Sequence, residues 1–216
     1  MCSSDLWYGV GKKLQPSYAS EHWRREAGRI LAENIHSWSR TPYADRITHL
    51  RLLYANCGEW NHWGYHEQAF ADLSFPMQQA FGKWLKRRYG TAEAWNRAWG
   101  TSGLSFDSGN PIPDRAARNM GQTPYRLAGT AAQPSVDYYT FFQEYAADTI
   151  NYFARIAKEA SGGRLLIGAY YGYYWGHFNS LPYHFQDSGH YGARYLLQSP
   201  WIDFFGGPYP YERRRE

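Results

Sequence analysis

Two hydrophobic periods alternate along this chain, and that alternation restricts it to a few architectures. Over residues 17–39 the apolar positions Trp23, Ala27, Ile30, Leu31, Ile35 and Trp38 recur at steps of three and four, the spacing of one helix face. A Pro42-Tyr43-Ala44-Asp45 turn ends that helix, and residues 47–55 form an apolar run of strand length. Ser74 and Pro76 open a second helix that continues through Phe81, Trp84 and Leu85 to Gly90. Thr91 caps a third, which Gly100 closes. Ser135 is expected to cap a long helix reaching about residue 160, with Tyr138, Phe142, Tyr145, Tyr152 and Ile156 on one face. Residues 165–172 and 201–205 read as strands, with a helix over 188–198 between them. Residues 101–133, rich in Gly, Pro, Ser, Asn and Arg, read as a long surface excursion. Helices interposed between strands imply an α/β fold: a parallel sheet with right-handed crossovers and helices on its outer side.

Glu59 stands where the first of these strands runs out, in Leu52-Leu53-Tyr54-Ala55-Asn56-Cys57-Gly58-Glu59-Trp60-Asn61-His62-Trp63-Gly64. A strand that delivers a charged group from its carboxyl end is how a (β/α) barrel builds its active-site rim. A carboxyl among apolar rings can keep its proton near neutral pH, because burial disfavours the charged form. Trp60 and Trp63 offer flat faces for a sugar ring, and His62 a hydrogen-bond donor. The same pattern allows a plainer reading, with Glu59 bonded to nearby backbone and the two indoles in the core. The strand over 165–172 opens similarly into Tyr173, Tyr174, Trp175, His177 and Asn179, and the last strand into Pro208 and Tyr209. Tyr173, Trp175 and Tyr209 are the candidate rim aromatics. Tyr170 and Tyr171 must face opposite sides of their strand. Trp84, Trp95 and Trp99 fall at helical spacing and are expected in the core.

Several classes are disfavoured. The net charge of +4 is spread along the chain, and its one dense run, Arg213-Arg214-Arg215, lies at the end, so no basic stripe for nucleic acid is present. No segment approaches the roughly 18 apolar residues of a membrane span. Cys2 and Cys57 have neither metal-ligand nor disulfide-framework spacing. His62 and His66 stand at i and i+4 with Glu67 beside them, but the intervening Gly64 argues against a rigid helix, so neither metal nor other cofactor is expected. With 10 Trp and 20 Tyr the chain carries more aromatic surface than packing demands, which points to a flat or amphipathic ligand, carbohydrate above all. Residues 2–6 back-translate to the end of a common sequencing adapter, so residues 1–6 are expected to be an assembly artefact, with 7–216 as the barrel domain.

Three stretches carry a family resemblance: the Glu59 segment, the string Trp84-Leu85 through Tyr89-Gly90 to Asn96, Ala98-Trp99-Gly100-Thr101, and Asp187-Ser188-Gly189-His190. Together they resemble the β-galactosidase-like glycoside hydrolases, family 42 and its relatives. The resemblance implies a fragment of a (β/α)8 TIM barrel from roughly the third helix to the sixth strand; at 216 residues the chain is shorter than the about 250 of a closed barrel. It also implies that Glu59 is the general acid/base of a retaining glycosidase whose nucleophile, a second Glu, ends the seventh strand. Neither Glu212 nor Asp203 fits that nucleophile: the first lies too near the sixth strand, and the second begins it. Asn56 is a candidate sugar contact, although Gly58, not Asn, immediately precedes Glu59. His190 is either a substrate contact above the fifth and sixth strands or a helix-start residue. On this resemblance the isolated polypeptide carries only the acid/base half and is inactive. The alternative is a degenerate barrel that binds glycan without cleaving it.

Overall fold

The computed structural model describes residues 7–10, 13–55, 58–60, 72–107, 112–113, 132–172 and 189–207. Strands β1 (Trp7–Val10) and β2 (Lys13–Pro16) form an antiparallel hairpin. No sequence pattern signals this hairpin, since four-residue strands hold too few positions to display a period. Helix α1 (Glu21–Trp38) follows, starting later than residue 17 because Ser20, whose hydroxyl accepts from Trp23 N at 3.1 Å, is the cap. After a 3-10 turn at Ala44–Arg46 comes β3 (His49–Leu52). Helices α2 (Phe75–Tyr89) and α3 (Ala92–Trp99) keep the expected caps, Ser74 and Thr91, and the expected terminators, Gly90 and Gly100, both at positive φ.

The long helix α4 (Gln133–Ala160) begins ahead of the expected cap. Pro134 takes the first turn, where its missing N–H removes no hydrogen bond, and Ser135 is buried inside the helix. Strands β4 (Leu166–Tyr170) and β5 (Phe204–Gly206) flank the short helix α5 (Ala193–Leu197). The helix expected over 188–198 shrinks to these five residues because Gly189, at φ +82°, sits in a turn.

The order β3-β4-β5 makes a parallel sheet, with Leu52 opposite Ala169 and Gly168 opposite Phe204. Helix α4 packs across β3 and β4. Ile167, Ala169 and Tyr171 are buried, whereas on the other face the Arg51 guanidinium lies 4.3 Å over the Tyr170 ring and donates to its hydroxyl at 2.5 Å. The two tyrosines thus separate as strand geometry demands. Gly168 has no room for a side chain: a Cβ there would meet the Phe204 ring at 2.4 Å. At the start of β5, Asp203 accepts from Ile167 N and from Lys158, both at 2.6 Å. Burial raises its carboxyl, but Lys158 and the Ile167 amide outweigh that and hold it below the ordinary value. Asp203 therefore pins two strands at the amino edge of the sheet. Among the described residues, no helix is long and apolar enough to cross a membrane.

Two fully buried carboxylates fasten the helices. Asp137 on α4 accepts from Trp99 Nε1 at 2.7 Å, Tyr89 Oη at 2.5 Å and Gln133 Nε2 at 2.9 Å, and pairs with Arg88 at 3.1 Å. One side chain thereby joins α2, α3 and α4, and the expected core positions of Trp84, Trp95 and Trp99 are all buried. Asp72 accepts from Ser17 Oγ at 2.6 Å and Ser74 N at 3.0 Å, tying the exit of β2 to the cap of α2. Burial raises the Asp72 carboxyl above its ordinary 3.8, with the hydrogen bonds from Ser17 and Ser74 working against it.

Replacing Asp137 strands buried donors. Asp137→Ala should lower unfolding free energy by about 2–5 kcal/mol in urea titration, since each unsatisfied group costs about 1–3 kcal/mol. Asp72 gives a pH signature. The folded state holds its proton more tightly than the unfolded chain, so its contribution is fullest below the ordinary value and is lost as pH rises through the raised one. Asp72→Asn keeps an acceptor for Ser74 N and removes that loss. Its stability relative to wild type should climb as pH rises above the ordinary carboxylate range; a difference independent of pH would contradict the assignment.

Candidate active site

The carboxyl edge of the sheet is built from the turn after β3, the end of β4 and the turn before α5. Past Leu52 the chain reverses so that Trp60 N donates to Tyr54 O at 2.9 Å. Ala55 (φ +63°) and Trp60 (φ +59°) both adopt the left-handed conformation, which costs non-glycine residues roughly 1–2 kcal/mol each. Other bonds hold the strained turn. Trp60 Nε1 donates to Leu52 O at 2.9 Å, and the buried Tyr18 hydroxyl donates to Trp60 O at 3.0 Å. Tyr54 Oη donates to Pro16 O at 2.8 Å. Glu59, half-buried, stands in this turn directly before Trp60.

Trp60 itself is only 2% exposed, tilted against Tyr18, Tyr54 and Phe153. Its expected part as a sugar platform is corrected: with its faces packed and its N–H bonded, it supports the Glu59 turn from below. Burial likewise pushes the Tyr18 hydroxyl well above its ordinary range, with Tyr54, Tyr171 and Asp72 adding to the effect. Tyr18 therefore serves here as a neutral donor.

His190 is fully buried and stacks on Tyr171, ring centroids 4.8 Å apart. Its Nδ1 accepts from Gly172 N at 3.2 Å, so Nε2 carries the proton and donates to Glu59 O at 2.7 Å. Tyr171 Oη donates to Gly189 O at 2.9 Å and accepts from Gly192 N at 2.7 Å. The structure thus brings together Glu59, Trp60 and His190. Asn56, His62, Trp63, Tyr173, Trp175 and Tyr209 lie outside the described residues. Tyr18, Tyr171 and Asp72 were missed by sequence reasoning. Tyr171 could have been suggested by its place at the end of a strand, but Tyr18 and Asp72 carry no local signal.

No family model matches the chain. The β-galactosidase BgaA of Thermus sp is 30% identical over 149 residues, which is 69% of this chain and 20% of that protein. The chain thus spans about a fifth of the length of this curated relative. The catalytic domain of β-amylase from Paenibacillus polymyxa superposes on 96% of this chain and 53% of its own, with TM-score 0.72 and 18% identity. A β-galactosidase from Bacillus circulans sp. alkalophilus covers 79% of this chain and 24% of its own, with TM-score 0.51 and 17% identity. These structural neighbours are TIM-barrel glycoside hydrolases, and at such identities they bear on fold alone. In sequence the chain resembles the β-galactosidase-like glycoside hydrolases, and it carries part of their barrel fold.

Proposed function

We propose that this chain is part of a retaining, β-galactosidase-like glycoside hydrolase that cleaves O-glycosidic bonds, with Glu59 as its general acid/base. The observation that carries the reading is the placement of Glu59: a half-buried carboxylate on a strained, heavily braced turn at the carboxyl edge of a parallel sheet. In this reading β3, β4 and β5 are the fourth, fifth and sixth barrel strands. A hollow of about 340 Å³ opens beside β3, lined by Trp23, Leu31, Leu53, Tyr54 and Phe153 among others.

Glu59 donates its proton to the leaving oxygen while a second carboxylate, about 5–5.5 Å away, attacks the anomeric carbon and forms a glycosyl-enzyme. Glu59, now ionised, takes a proton from water, whose oxygen displaces the second carboxylate and restores both groups. In this reading the second carboxylate is a Glu at the end of the seventh barrel strand. Asn56, His62, Trp63, Tyr173, Trp175 and Tyr209 contribute the sugar contacts. A barrel that only binds glycan is the second reading, and the burial of Trp60 takes away one of the aromatic faces it needs.

The test is made in the full-length protein. Glu59→Ala should cut turnover of an unactivated galactoside by about 10²–10⁴, while nitrophenyl glycosides, whose leaving group departs unaided, lose less in glycosylation. Azide should partly restore the second step. Wild-type rates on both substrates would make Glu59 structural, and a full-length protein that binds oligosaccharide but cleaves neither would favour the binding reading.

A further inference from the structure

We infer that His190 is a positioning residue for Glu59, acting as a neutral clasp that fixes the backbone of the acid to the end of β4. This rests on the reading of Glu59 as the acid given above. The clasp has three anchors, one on Glu59 and two on neighbouring residues at the end of β4, more than a hundred positions along the chain. At one end Nε2 donates to Glu59 O, and at the other Nδ1 accepts from Gly172 N, immediately past Tyr171. The ring itself is clamped flat on Tyr171, with an interplanar angle of 9°.

The turn that carries His190 is equally fixed. Gly189 lies at φ +82°, where a Cβ would stand 3.1 Å from Ala146, and a Cβ on Gly192 would meet Gln143 O at 2.5 Å. Tyr191 N donates to Gln143 Oε1 at 2.8 Å, while Tyr171 bridges Gly189 O and Gly192 N. The imidazole is therefore tied to buried positions of α4 and β4, and its reach ends on the carbonyl of the proposed acid. A proton donor misplaced by about an ångström can lose 10²-fold in rate, so a strut of this kind bears directly on the chemistry. A substrate contact would instead need a ring nitrogen directed to the cleft, and both nitrogens here meet backbone groups.

The tautomer is tested on this chain by nitrogen-15 NMR of its histidine ring at neutral pH. The expected pattern for His190 is a protonated Nε2 and an unprotonated, hydrogen-bonded Nδ1. The opposite tautomer, or an imidazolium, overturns the clasp whatever Glu59 does. Positioning is tested in the full-length protein with two variants. His190→Asn can still accept from Gly172 but falls short of Glu59 O, and should lower kcat on an unactivated galactoside by about tenfold to hundredfold with KM little changed. His190→Gln reaches Glu59 O and should recover most of that loss. The deficit should shrink on nitrophenyl substrates, as a fault in proton donation requires and a general loss of folding does not. A raised KM with unchanged kcat would make His190 a substrate contact, and equal losses in both variants that follow their melting temperatures would leave it merely structural. Were Glu59→Ala fully active while the expected tautomer is present, the acid assignment and the positioning role would fall together and only a turn brace would remain.

Discussion

The burial of α4 is the constraint on which the rest of this structure depends. Over its 28 residues, about 42 Å of helix, it meets α1, α2, α3 and α5 as well as β3 and β4, so each neighbour is located by its contact with this one element. Tyr138, Phe141, Phe142 and Ile150 are fully buried, each worth roughly 1.5–3 kcal/mol. Ala146, Ala147, Ala154 and Ala157 are buried too and leave room for close approach. The fit against α1 is tight at Gly28, where a Cβ would stand 2.5 Å from Ile156 Cδ1. Arg24 completes that seam with an ion pair to Asp148 at 2.8 Å and a bond to the Tyr18 carbonyl at 2.8 Å. Through Tyr18 the packing of α1 reaches the turn that bears Glu59.

At the carboxyl edge, backbone geometry is held by side chains bonded to the main chain. Trp60, Tyr18, Tyr171 and His190 all direct polar atoms at main-chain carbonyls or amides. Such an arrangement stabilises the left-handed residues Ala55 and Trp60, which would otherwise relax. Rim residues can then differ in identity without disturbing the turn, because the bonds that define it come from beneath.

Much of the architecture was legible wherever a local rule sufficed. Ser74, Thr91, Gly90 and Gly100 mark helix ends through bonds and dihedral angles confined to a few residues, and the parallel sheet followed from the alternation of periods. Legibility failed where the partner lay far away. His190 and Glu59 are 131 positions apart, Asp72 and Ser17 are 55, and Arg24 and Asp148 are 124. Nothing in the local pattern tells a buried acceptor from an exposed one, so Asp72 and Asp137 passed unmarked. Trp60 misled for a related reason: periodicity assigns faces on helices and strands, but in a turn it does not say whether a ring lies over the cleft or under it.

The Asp137 junction also bears on what a shared sequence string can mean. Tyr89 and Trp99, the aromatic landmarks of the stretch most characteristic of the family resemblance, both donate to that one carboxylate, and Trp84 Nε1 donates at 2.7 Å to Glu144, on the same helix as Asp137. The string thus encodes how three helices meet. A string of this kind specifies a way of packing. One buried carboxylate thus turns three separate aromatic and basic positions into a single joint, and a change at any one of them is felt by all three helices.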